Sequence, residues 1–149
     1  MLANLIEYIE LCYRAWGSTR EPEYRDRIAA REPDIRSAAD EYKFPDLEGR
    51  WYLVQGHLYV HDWLDAAQAD DRLLSAALEK YQDGFALIAQ SYVGSSGTSA
   101  LPGEFDTFAE LFSRLPEEVQ IAWRHELRRA WHDSSEGSTV LLARLEALR

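Results

Sequence analysis

The chain is poor in cysteine. Cys12 stands alone, so an intrachain disulfide is excluded. It falls on the apolar stripe of the first predicted helix and reads as a small buried residue. Long apolar runs are also missing: no stretch reaches the roughly 18 uninterrupted apolar residues of a membrane helix. The N-terminus lacks a basic leader, and Glu7 and Glu10 break its apolar stretch, which argues against a signal peptide. The expected setting is therefore a reducing cytoplasm, with no membrane partner. Positive charge is scarce as well. Sixteen basic residues face 26 acidic ones, for a formal charge of −10. Such a field repels a phosphate backbone and speaks against non-specific nucleic-acid binding. It maintains solubility and would speed encounter with a basic protein.

Reaction motifs are lacking too. Ser95 and Ser96 lie between Gly94 and Gly97, but the spacing does not match Gly-x-Ser-x-Gly and no strand precedes it. The same loop lacks the Gly-Lys-Ser/Thr needed to cradle phosphates. Neither a catalytic residue nor a cofactor is expected.

Aromatic and apolar residues are plentiful. Five Trp, eight Tyr and five Phe stand among 46% hydrophobic residues. A chain of 149 residues fits one domain that buries roughly two thirds of its unfolded surface. The apolar periodicity is helical almost throughout. Leu2, Leu5, Ile6, Ile9, Cys12, Tyr13 and Trp16 share one stripe, with Gly17 as the stop. Two short, charged helices follow, one opened by Pro22 and interrupted at Pro33, the next ended by Pro45. Residues 47–64 are apolar on nearly every side, as in a central helix. A competing reading makes 51–54 and 57–60 a β-hairpin around Gln55-Gly56. Asp70 or Asp71 caps the next helix, in which Gly84 marks a close helix approach. Residues 94–104 are a loop. Phe105 to Phe112, Pro116 to His132, and a segment capped by Ser138 or Thr139 complete about eight helical segments. The expected fold is all-α: one domain, 1–149, forming a helical bundle or short array. It comprises N-terminal helices (1–45), a central hairpin (47–93) and C-terminal helices (105–149).

The central hairpin carries the most specific pattern. Tyr52, Gln55, Gly56 and Tyr59 fall at i, i+3, i+4 and i+7, and Ala77, Tyr81 and Gly84 at i, i+4 and i+7. Small Gly56 lets the two helices approach, while Tyr59 and Tyr81 fill the space between them and small Ala77 faces the neighbouring helix. Residues 52–84 thus resemble one tetratricopeptide repeat, with a longer spacer than that family uses. The resemblance implies a non-enzymatic scaffold that binds a protein segment between helices, and no catalytic residue.

Other constellations are less specific. His57 and His61 stand at i, i+4, with Asp65 one turn on. That spacing suits zinc if His125 or His132 supplies a further ligand, but two half-buried histidines on an aromatic helix are the preferred reading. Asp62, Asp65, Asp70 and Asp71 cluster at the hairpin turn, either as a solvated edge or as a docking edge for a basic partner. Arg124, Arg128, Arg129, His125 and His132 gather where a helix C-terminus attracts positive charge. Three functions follow in order of preference. They are a helical protein–protein interaction domain, a small acidic inhibitor or toxin-immunity protein, and a metal-dependent enzyme using His57 and His61.

Overall fold

A computed structural model describes residues 2–41, 43–67, 70–90, 101–132 and 136–148, without the side chains of 101–103 and 136–137. These residues form seven helices and no strand. They are α1 (Leu2–Thr19), α2 (Pro22–Glu41), α3 (Pro45–Asp65), α4 (Asp71–Gln90), α5 (Leu101–Ser113), α6 (Glu117–Ala130) and α7 (Glu136–Glu146). The fold is all-α, as the periodicity predicts, and no described helix is long and apolar enough to cross a membrane.

Local signals explain most boundaries. Pro22 and Pro45 occupy first helical positions, where the missing N–H costs nothing. Asp70 precedes α4 and its carboxylate accepts the Arg72 backbone N–H at 3.1 Å, so Asp70 is the cap. In α6, Glu117 and Glu118 sit in the first turn and Arg128 and Arg129 in the last, opposing the helix dipole.

Several expectations need correction. Pro33 does not divide two helices: α2 runs through it, giving one fewer segment than the roughly eight expected. Ala29, whose carbonyl loses its intrahelical donor, is exposed to solvent, while Ile28 and Ile35 are both buried on one face. Burial of that face holds the helix together. Gly17 does not stop α1 either. The helix continues to Thr19, and Arg20 closes it in the left-handed region at φ 59°, its N–H reaching the Trp16 carbonyl at 2.7 Å. Residues 51–60 are helical, which removes the β-hairpin. Residues 101–104 belong to α5 and not to a loop, and α7 begins at Glu136, placing Ser138 and Thr139 inside its first turns. Ser95 and Ser96 lie outside the described residues.

The α3–α4 hairpin is the organising contact. Its helices meet through glycine, since a Cβ at Gly56 would lie 3.0 Å from the Tyr81 ring. α3 is buried on both sides, as a central helix must be. Trp51 and Val54 join a front core with Ile6, Ile9, Cys12, Ile28 and Ile35. Leu53, Val60 and Trp63 join a back core with Tyr81, Phe85, Phe108, Trp123 and Trp131. In the back core Tyr81 and Phe108 meet edge to face at 4.7 Å, and the Trp131 indole N–H donates to the Gln82 carbonyl at 3.2 Å. All five tryptophans are buried. Each such side chain contributes about 1.5–3 kcal/mol by burial, so they serve the core and not the surface.

Candidate functional site: a polar cavity between α1, α3 and α5

A cavity of about 640 Å³ opens where α1, α3 and α5 come together. The three helices run in the same direction along it. At one end Glu10 of α1 pairs with Arg50 of α3, whose Nε lies 3.1 Å from the carboxylate, and hydrogen-bonds Glu104 of α5. At the other end Tyr13 and Arg20 reach His61, which also feels the charge of Arg114 from α5. The volume lies in the range of small-molecule sites.

Each polar residue is placed by its helix. On α1, Tyr13, Arg14 and Gly17 lie three, four and seven residues after Glu10, so all face the same space. On α3, Arg50, Val54, His57 and His61 face it too. Arg20 is delivered by its left-handed backbone. Its guanidinium contacts Asp65 at 2.9 Å and His61 Nδ1 at 3.2 Å, and lies 4.3 Å from the Trp16 ring centroid. A non-glycine residue in that conformation costs about 1–3 kcal/mol, which these contacts offset.

Burial governs the protonation states. His57 is pushed down to about 3, first by burial and then by His61. His61 is lowered to about 4, again by burial, with Arg20 and Arg114 adding to the effect. Both rings are neutral near pH 7. Tyr13 is pushed up to about 12 by burial, and Glu110 adds to the rise while Arg20 opposes it. Glu104 is raised to about 8 by burial and by its hydrogen bond to Glu10. Protonated Glu104 therefore donates to the Glu10 carboxylate, which Arg50 already holds.

The residues singled out by sequence divide into two groups. His57 and His61 do share one face, but as hydrogen-bonded wall residues. His57 Nδ1 lies 2.7 Å from the Tyr81 hydroxyl, and both nitrogens of His61 are engaged, by Tyr13 and Arg20. Asp65 is paired with Arg20. His125 and His132 lie on α6 and just beyond it, both exposed. Among the described residues no group of three His, Cys, Asp or Glu is placed to hold a metal ion. The carboxylates at the hairpin turn are largely engaged within the chain: Asp62 takes a bidentate pair from Arg25, Asp65 meets Arg20, and Asp70 meets Arg72. The arginines of α6 are likewise engaged within the chain, Arg124 through one terminal nitrogen with the Leu148 carbonyl, Arg128 with Glu146 and Arg129 with Glu126, although the Arg124 Nε is buried without a partner.

Comparison with known proteins gives no match. No family model, no curated protein and no solved structure matches the chain. The cavity residues that sequence reasoning missed are Glu10, Tyr13, Arg14, Arg20, Arg50, Glu104 and Arg114. With Glu110 they are spread over three separate segments, 10–20, 50 and 104–114, so no local motif joins them. The only signal was polar residues spaced within otherwise apolar helices, which reads equally well as solvated surface.

Proposed function

We propose that the chain is a non-enzymatic helical interaction domain that binds another protein along the face made by α1, α3 and α5. The observation that carries this reading is the common direction of those three helices, which leaves a groove between them instead of a closed core. Grooves between aligned helices accept extended or helical segments of a partner. The tetratricopeptide-like pattern of residues 52–84 supports it, because Gly56, Tyr81 and Gly84 lie buried at the α3–α4 contact that such a pattern requires, and Ala77 is buried in the core.

The protonation states add support. An acid–base catalyst is most effective with a pKa near the working pH. His57, His61 and Tyr13 are all driven far from neutrality and tied into hydrogen bonds within the fold, and Glu104, the one lining group held near neutrality at about 8, is hydrogen-bonded to Glu10. The inhibitor alternative loses its clearest feature, since Asp62, Asp65 and Asp70 already meet arginines of this chain.

Leu11 offers a direct test. It is 59% exposed on α1, one turn from Arg14 on the cavity wall. Tagged wild-type protein should recover the same partner reproducibly from source-cell lysate, and Leu11→Asp should lose it while keeping its helical circular dichroism. Failure to recover a reproducible partner, or equal recovery by the variant, would count against this reading.

A further inference from the structure

The cavity holds hydrogen-bond donors that the fold itself leaves unused. Arginine carries donors only, so the Arg20 N–H fixes His61 Nδ1 as the acceptor. The ring proton of His61 then sits on Nε2 and is donated to the Tyr13 oxygen at 3.1 Å. That leaves the Tyr13 hydroxyl proton free to turn into the cavity.

A second donor lies deeper in the wall. The Tyr81 hydroxyl donates to His57 Nδ1, because the reverse arrangement would strand two buried groups instead of one. The ring proton of His57 is then on Nε2, which has no partner although His57 is only 2% exposed. Gln55 Oε1, Trp63 Nε1 and Arg124 Nε are buried without a partner as well, but among these residues only His57 belongs to the cavity wall.

Charge points the same way. Arg14 of α1 and Arg114 of α5 line the cavity, and among the described residues neither forms an ion pair. Four arginines face three glutamates across the whole lining, against a net charge of −10 for the chain. Protonation of Glu104 near neutrality removes one of those negative charges. Arg50 and Arg20 are spent on Glu10 and Asp65, so with Glu104 protonated the lining keeps Arg14 and Arg114 against Glu110, a small positive excess in an acidic protein.

We propose that this cavity binds a phosphate-bearing small molecule, with Arg14, Arg114 and the Tyr13 hydroxyl on the phosphate and the remainder against Val54, His57 and Leu111. Guanidinium forks match phosphate oxygens in geometry and charge. A phosphomonoester near neutrality carries about −1.5 to −2 charge and three acceptor oxygens, enough to occupy donors arriving from two helices. A single carboxylate would leave part of that set unused. An acidic macromolecule would meet the repulsive field of the whole chain, whereas a small ligand meets the local one. The site lies in the groove proposed for the protein partner, so the ligand would compete with that partner or control its access, and binding to the purified chain reads the site whether or not a partner exists.

Titration calorimetry on the full chain tests the assignment with inorganic phosphate, AMP and citrate as probes. Inorganic phosphate should bind saturably at one site, AMP should bind more tightly, and citrate more weakly than AMP. Arg14→Met with Arg114→Met should weaken AMP by at least about tenfold, the scale of one lost charge-assisted hydrogen bond. Both residues are exposed, so helical circular dichroism and melting should be preserved. Arg129→Met, remote on α6, should leave affinity unchanged. No binding of phosphate up to tens of millimolar, or equal affinity in the double variant, would overturn the site. Equal affinity for phosphate and AMP would overturn the organic ligand, and citrate tighter than AMP would overturn the phosphate.

Discussion

Gly49 of α3 and Gly84 of α4 lie backbone against backbone. A Cβ on Gly49 would stand 2.5 Å from the Gly84 carbonyl oxygen, and one on Gly84 would stand 3.0 Å from that of Gly49. The close approach that Gly84 suggested in the sequence is therefore present, and Gly49 is its counterpart.

Alanine at these positions sets helix propensity against packing. Propensity favours Ala over Gly by about 1 kcal/mol, while overpacking a tight contact costs about 1–3 kcal/mol. Gly49→Ala should destabilise the protein, because the obstructing atom is backbone and cannot move alone. Gly84→Ala should cost less, since part of its obstruction is the Leu53 side chain at 2.9 Å. Gly17→Ala, with nothing within 4 Å of its Cβ, should stabilise by up to about 1 kcal/mol. Urea denaturation of the three variants checks the order.

The His57–Tyr81 hydrogen bond invites a double-mutant cycle. His57→Phe strands the Tyr81 hydroxyl in the core, and Tyr81→Phe leaves His57 with no partner at either nitrogen. Each should cost about 1–3 kcal/mol, the desolvation penalty of an unpaired buried group. The double variant removes both polar groups and should cost less than the sum. Additive costs in chemical denaturation would show that the pair is not coupled.

Stability should peak near pH 6.5. The folded pKa values of His57 and His61, about 3 and about 4, lie below their ordinary value of 6.5. The unfolded chain therefore binds more protons as pH falls below 6.5, and stability declines by at most about 1.4 kcal/mol per pH unit for each histidine. Glu104 acts in the opposite sense. Its folded pKa, about 8, lies above the ordinary 4.5, so its contribution is full below pH 4.5 and is lost as pH rises towards 8. Between pH 4.5 and 6.5 the two histidines outweigh the one glutamate; above 6.5 only Glu104 titrates among the three. Glu104→Gln should flatten the alkaline limb and steepen the acid limb between pH 4.5 and 6.5, where Glu104 no longer opposes the histidines. Melting temperatures between pH 4 and 9 would show whether it does.

Pro33→Ala should stabilise the chain. It restores a donor to the Ala29 carbonyl within a helix that is already continuous, for a gain of up to about 3 kcal/mol. Helical circular dichroism should hardly change while the melting temperature rises. A large gain in helicity would instead mean that Pro33 separates two helices.

The order of helical segments, the central place of α3 and the burial of the tryptophans were all legible in the chain. Apolar residues recurring at helical spacing define which face must leave water, whatever lies opposite. Capping and dipole charges, such as Asp70, Glu117 and Arg129, are equally local. The cavity was not legible. Glu10, Arg50 and Glu104 meet only because α1, α3 and α5 align in space, and sequence spacing carries no information about that alignment. The same holds for which charges are spent: Asp62 and Asp65 read as a free acidic edge until the folding of α1 and α2 against α3 brings Arg25 and Arg20 onto them. Local sequence determined where the helices run. Tertiary packing decided which polar groups were buried together, and burial, by stripping water from them, decided their protonation and which donors remain for a ligand.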